Sequence, residues 1–227
     1  MHIFVDIHST DKKYNIIYAD PPWRYSDSGS AGAAENHYST MSIADICALP
    51  IKDIAAADCV LFLWTTYPML QEAMQLITAW GFRYKSIGFQ WLKLNKSGRG
   101  FFFGLGRWTR GNTEPCLIAV RGKPYKFVQS QSISQIIEYP IMRHSAKPPL
   151  VRDKIIELMG DIPRIELFAR QGAAGWDCWG NEAPDTILQT EPSILKPKHD
   201  NGQMTLEEMG GVTLLIISLN VNEFSEV

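Results

Sequence analysis

Short, continuously apolar or aromatic runs recur through the first three quarters of the chain, at 15–19 (NIIYA), 59–64 (CVLFLW), 87–92 (IGFQWL), 116–120 (CLIAV) and 164–168 (RIELF). Continuous runs of this length, as opposed to alternating ones, predict strands covered on both faces. Residues 67–80 place Leu70, Ala73, Met74, Ile77 and Trp80 on one helical face, and Gly81 follows as a stop. A second helix is expected from about Pro149 to Met159, with Ile155, Leu158 and Met159 inward and Gly160 ending it. Strands alternating with helices predict an α/β fold with a mostly parallel sheet.

Two stretches break the pattern. Residues 26–36 (SDSGSAGAAEN) are small and polar, which predicts a mobile loop. From Pro184 onward the chain is acidic and proline-bearing and ends in the apolar run 212–219. With 227 residues, 45% of them hydrophobic, the expected organisation is one catalytic domain over 1–183 and a C-terminal appendage over 184–227. Cys47, Cys59, Cys116 and Cys178 are widely spaced with no CxxC pair, against both a zinc knuckle and a disulfide scaffold. The start of the chain lacks a signal-peptide pattern, and nowhere do 18 apolar residues run together. A cytoplasmic protein without a membrane partner is the expectation.

Formal net charge is only -2, yet its distribution is uneven. Between Arg83 and Lys126 ten basic residues face one acid, Glu114, a local charge of +9 that leaves -11 for the rest. Trp91, Phe101, Phe102, Phe103, Trp108, Tyr125 and Phe127 interleave with these cations. Cations that meet phosphates and rings that stack on bases together predict a nucleic-acid surface. The alternative is a solvated basic loop whose rings belong to the core. Tyr25, Lys93, Lys96, Arg99, Arg107 and Arg110 are the candidate nucleic-acid contacts.

The tetrapeptide Asp20-Pro21-Pro22-Trp23 follows the first buried run directly. That puts a carboxylate at the carboxyl end of a strand, the edge where open α/β sheets hold ligands. The exocyclic amine of adenine is a weak nucleophile because its lone pair is delocalised into the ring. Acceptors for both of its N–H groups would localise that pair; Asp20 can supply one and the Pro21 carbonyl the other, while the prolines hold their separation. Trp23 offers a face on which a base can stack. No metal-ligand cluster is apparent among the five histidines, and this chemistry requires none. An ordinary strand-ending turn is the plainer alternative, and the catalytic reading requires Asp20 to face the pocket without being tied to a guanidinium.

Taken with HYSTM at 37–41, LFLWTT at 61–66, WGF at 80–82, TEPCLIAVRG at 113–122, HSAKP at 144–148, RIELFAR at 164–170 and GWDCWGNE at 175–182, the YADPPW segment resembles the DPPW-type adenine-N6 methyltransferases. The resemblance implies a Rossmann-like methyltransferase fold in permuted motif order, with S-adenosylmethionine as methyl donor. It implies a catalytic role for Asp20, Pro21, Pro22 and Trp23. It also implies that Lys147 holds the cofactor's carboxylate, that Glu166, Leu167, Phe168 and Arg170 line the cofactor cleft, and that Asn181 and Glu182 bind the ribose hydroxyls and adenine edge. Asp6 and Ile7 resemble the pair that reads the cofactor adenine. Gly172 stands where eukaryotic relatives tend to carry a polar side chain, and Glu182 where they carry Gln.

The expected activity is therefore N6 methylation of adenine in nucleic acid. DNA is preferred to RNA because the family's eukaryotic RNA enzymes carry long extra regions or a partner subunit. A homodimer stays open. Methylation of RNA, an inert nucleic-acid-binding partner of another methyltransferase, and methylation of a protein amide are the competing readings. The intact acidic tetrapeptide argues against the inert one, and Asp-Pro-Pro-Trp in place of Asn-Pro-Pro-Tyr argues against the last.

Overall fold

The five apolar runs become the central strands of an eight-stranded sheet. The computed structural model describes residues 3–24, 40–106, 108–143 and 146–180. All of them fall within Met1–Asp185, the first of two units into which the chain divides. The predicted loop at 26–36 and the expected appendage at 184–227 lie outside the described residues.

In chain order the strands are β1 (Ile3–Phe4), β2 (Tyr14–Ala19), β3 (Ala55–Trp64), β4 (Arg83–Leu94), β5 (Thr113–Arg121), β6 (Ile136–Pro140), β7 (Arg164–Leu167) and β8 (Asp177–Trp179). Their order across the sheet is β1-β8-β7-β2-β3-β5-β4-β6. Every pairing is parallel except those of β5, which runs against both β3 and β4. The mostly parallel sheet expected from the pattern is therefore present. The reversal of β5 brings its first residues to the edge where its neighbours end. The late strands β7 and β8 sit between β1 and β2, so distant parts of the chain meet along one edge.

Both faces are covered. Ile17, Ala19, Leu61, Leu63, Leu117, Ala119, Ile165 and Leu167 share one buried cluster with residues of helices α1 (Ile43–Ala48), α2 (Ile51–Ile54) and α3 (Leu70–Ala79). Ile16, Tyr18, Val60, Phe62, Trp64 and Cys116 share the other with Val151, Ile155 and Met159 of helix α4 (Leu150–Met159). Successive side chains of a strand point to opposite faces, so continuous apolar runs feed two cores at once.

The helix predicted over 67–80 begins as a 3₁₀ turn at Tyr67–Met69, where Pro68 occupies the first turn, and becomes α-helical at Leu70. Gly81 adopts φ +82 just beyond it, a left-handed stop that favours glycine. In α4 the spacing of four turns Val151, Ile155 and Met159 inward, leaving Leu158 at the side, only partly buried. The pattern did not reveal β1, β6, β8, α1 or α2. Elements of two to six residues are too short to show a period. Among the described residues no helix is long and apolar enough to cross a membrane.

Candidate active site

The carboxyl ends of β1, β8, β7 and β2 lie side by side, and most of the residues singled out in the sequence follow them. Asp20 comes directly after β2, Phe168 to Arg170 after β7, and Asp6 with Ile7 shortly after β1. Asn181 and Glu182 would follow β8, but they lie outside the described residues, as do Tyr25 and Arg107.

The tetrapeptide is held by its own backbone. The Trp23 N–H donates to the Pro21 carbonyl at 2.9 Å, and the Met41 N–H donates to the Pro22 carbonyl at 2.9 Å. One lone pair of the Pro21 oxygen is thus in use, and a carbonyl oxygen carries a second. Trp23 is 5% exposed and packs into the core, so its ring is seated instead of standing open as a platform. Its buried Nε1 has no hydrogen-bond partner. An orphaned donor of this kind costs about 1–3 kcal/mol and points to a functional or ligand-dependent arrangement.

Asp20 is engaged by an ammonium. Lys147 Nζ lies 2.8 Å from both Asp20 Oδ1 and Oδ2, and 3.0 Å from Glu114 Oε1. Lys93 Nζ completes the row at 2.8 Å from Glu114 Oε2. The row follows from strand parity and direction. Asp20 continues the face of Tyr18, Glu114 shares the face of Cys116, and Lys93 that of Trp91, all on the α4 side, while Lys147 precedes α4. The reversed β5 delivers Glu114 to this edge from its first residues. Lys147 is only 10% exposed, whereas Asp20 keeps 30% and remains reachable from one side.

Burial pushes the Asp20 carboxyl above its ordinary range, even against the attraction of Lys147. For Lys147, burial favours the neutral form, but the carboxylates of Asp20 and Glu114 outweigh it and hold the ammonium charged. Burial likewise opposes ionisation of Glu114, and its two ammonium partners overcome it. The carboxylates of Asp20 and Glu114 are thus each paired with an ammonium, the condition under which partly buried charges persist.

Lys93 and Glu166 also depart from expectation. Lys93, expected among the nucleic-acid contacts, turns inward to Glu114 and rests over the Trp91 ring at 5.1 Å. Glu166, expected in the cofactor cleft, gives both oxygens to Arg152 at 2.6 and 2.8 Å, so its side chain braces β7 against α4. A glutamate inside a fully buried strand has to find a cation. That requirement was visible in the sequence, but its partner Arg152 was not singled out.

Of the remaining described cofactor candidates, Asp6, Ile7, Phe168 and Arg170 lie just past the ends of β1 and β7, whereas Leu167 is the last residue of β7 itself. Asp6 is exposed, and its carboxylate is oriented by the His8 N–H at 3.0 Å and the Ser9 hydroxyl at 2.9 Å, contacts that lower its pKa. Ile7 is buried. Phe168 adopts φ +59, a left-handed conformation uncommon for a side chain of this size, and its ring meets Trp179 edge-on at 5.4 Å. Gly180 lies so close to Ala169 that an added Cβ would sit 2.4 Å from the Ala169 oxygen. Leu167 is wholly core, and Arg170 is near enough to Asp20 to stabilise its charge. An oriented carboxylate and aromatic rings at two strand ends suit an adenine-bearing molecule, whereas Lys147, expected to hold the cofactor's carboxylate, is here engaged by Asp20 and Glu114.

On the β4–β5 connection Lys96, Arg99 and Arg110 are exposed. Phe103, Leu105 and Trp108 are exposed too, Trp108 at 99%. The connection is ordered by its own backbone: Phe102 N–H donates to the Lys93 carbonyl at 2.7 Å, and Asn95 N–H to the Gly100 carbonyl at 3.0 Å. A cavity of about 470 Å³, lined by Lys12, Tyr14, Arg164 and Asp177 among others, opens at the opposite edge, where β2, β7 and β8 begin. The reactive groups do not face it.

The MT-A70 family profile matches residues 14–182. The chain is 34% identical to the type II methyltransferase M.MunI of Mycoplasma sp, over 78% of this chain and 81% of that protein. It is 29% identical to the mouse N(6)-adenine-specific methyltransferase METTL4, over 75% of this chain and 38% of that protein. With the catalytic subunit METTL3 of the human N(6)-adenosine-methyltransferase it shares 28%, over 81% of this chain and 30% of that protein. The chain thus spans about four fifths of the bacterial relative and about a third of the two mammalian ones. With a Rossmann-like α/β sheet, an Asp-Pro-Pro-Trp at the end of β2 and a profile match that runs from β2 through the end of β8, the chain belongs to the MT-A70 family of N6-adenine methyltransferases.

Proposed function

We propose that the chain transfers a methyl group from S-adenosylmethionine to the N6 amino group of adenine in DNA. The observation that carries this reading is the Asp20 carboxylate at the carboxyl edge of β2, reachable from one side and next to a Pro21 carbonyl with a spare lone pair. The cofactor, when bound, supplies a methyl group on a positively charged sulfur. Lys147, Asp6, Ile7, Phe168 and Arg170, with Asn181 and Glu182, would hold it.

What the chain itself does is prepare the amine. A target adenine leaves the base stack at a cost of a few kcal/mol and enters next to Trp23. Asp20 accepts one N6–H and the Pro21 carbonyl the other, which turns the nitrogen lone pair out of the ring. Negative charge on Asp20 would then favour the positive charge that develops on N6 as the methyl carbon leaves sulfur for nitrogen, and the surplus N6 proton would pass to solvent. The exposed cations and rings of the β4–β5 connection suit a phosphate backbone and unstacked bases. DNA is favoured as substrate because the relative matched over most of both lengths is a type II methyltransferase, whereas the adenosine methyltransferase is a far longer chain.

The test is incubation of the purified chain with tritiated S-adenosylmethionine and either adenine-containing DNA or RNA. Label recovered as N6-methyladenine from DNA is the expected result. Label in RNA alone would replace the substrate, and label in neither would leave a binding protein in place of an enzyme.

A further inference from the structure

Glu114 is a carboxylate 7% exposed, and the adenine chemistry above gives it no part. Its two oxygens are gripped from opposite sides, Oε1 by Lys147 at 3.0 Å and Oε2 by Lys93 at 2.8 Å. Lys93 is steadied in turn by the Trp91 ring, and the Trp91 Nε1 donates to the Tyr139 carbonyl at 2.8 Å. Glu114 is thus fixed through Oε2 by Lys93, and its Oε1 is turned to Lys147.

Asp20 faces a conflict. Both of its oxygens lie 2.8 Å from Lys147, and a carboxylate so occupied is a poor acceptor for an adenine N–H. To accept one it has to release Lys147 at least in part. An ammonium released inside a low-dielectric site with no other carboxylate would be strongly disfavoured. Glu114 removes that penalty, because Lys147 is already within hydrogen-bonding distance of it and can lean toward it without losing its counter-charge.

We propose that Glu114, held by Lys93, is a positioning residue for methyl transfer: it draws Lys147 off Asp20 as the target adenine docks. This rests on the proposed role of Asp20 as acceptor for N6–H. Asp20 then alternates between two partners, Lys147 at rest and the adenine amine when substrate is bound. The cofactor's carboxylate, if Lys147 meets it, adds a second pull in the same direction.

The experiment compares wild type with Glu114→Gln, which preserves shape but not charge, on a duplex carrying a sequence that the wild type methylates. In Glu114→Gln, Lys147 loses the carboxylate that competes with Asp20 for it. The expected result is a fall in kcat of about 100-fold, with the Kd for S-adenosylhomocysteine within about 3-fold of wild type. In the presence of S-adenosylhomocysteine, and so without turnover, the same duplex binds about 10-fold more weakly. Replacing the target adenine by purine, which has no 6-amino group, abolishes this binding difference between the two proteins. Glu114→Asp restores part of the rate. Lys93→Met, nearer the surface and less disruptive to folding, shifts kcat and duplex affinity in the same direction by a smaller factor.

Wild-type kcat in both Glu114→Gln and Lys93→Met overturns the inference and leaves the proposed function standing. So does an affinity loss that persists with the purine duplex. A wild-type chain that methylates no adenine overturns the proposed function, and this inference with it.

Discussion

The Arg152 guanidinium closes on the Glu166 carboxylate through two hydrogen bonds of 2.6 and 2.8 Å, tying the first turn of α4 to the middle of β7. Burial pushes Glu166 above its ordinary pKa, and Arg152 opposes that shift. Arg152→Met leaves the carboxylate buried without a partner, and a loss of about 3–5 kcal/mol in unfolding free energy is expected. Denaturant unfolding checks it. The double variant with Glu166→Leu should recover most of the loss, because the uncompensated charge is gone.

Asp20→Ala should lower kcat by about 1000-fold or more, since one of two acceptors and the nearest negative charge to the developing cation disappear together. Cofactor affinity, read by calorimetry, should stay within a few fold. Lost cofactor binding with an unchanged rate at saturation would assign Asp20 to the wrong step.

Protonation of Asp20 removes its charge, so activity is present above its pKa and declines as pH falls through it. Because burial raises that pKa, the acid limb of kcat/KM should have its midpoint above the ordinary aspartate value of 3.8. Lys147 is held charged to beyond its ordinary 10.5 and contributes no alkaline limb below that pH. Lys147 and Arg170 attract the Asp20 charge while Glu114 repels it, so a midpoint at or below 3.8 would mean that the two cations outweigh burial and Glu114 together.

The exposed and the inward cations should behave differently toward salt. Arg99→Ala or Arg110→Ala should each reduce the dependence of log K on log salt by about one unit. Trp108→Ala should cost about 1–3 kcal/mol of nucleic-acid binding if its ring stacks on a base. Lys93→Ala should leave the salt slope unchanged, because its ammonium is committed to Glu114. Filter binding across a salt series distinguishes the three.

Much of the sheet was legible in the chain. The runs at 15–19, 59–64 and 116–120 are apolar at consecutive positions because they feed two cores, and Asp20 at the end of the first was recognisable as a ligand-edge carboxylate. The strands Ile3–Phe4 and Asp177–Trp179 were not legible, since two or three residues carry no period and are strands only by virtue of their neighbours. The basic window between Arg83 and Lys126 was countable, but a count does not say which cations face outward. Lys93 and Arg99 look alike in sequence, and strand parity sends one of them to Glu114.

Local order and chemistry of this kind depend on side chains a few residues apart, and for them the sequence by itself was sufficient. The partner of Asp20 stands 127 positions away, and the link from Lys147 through Glu114 to Lys93 exists only because β5 runs backward between β3 and β4. Which charges meet across such distances is decided by the order and direction of strands. No local signal carries that information, because charges find their partners only when the sheet closes and water leaves the site.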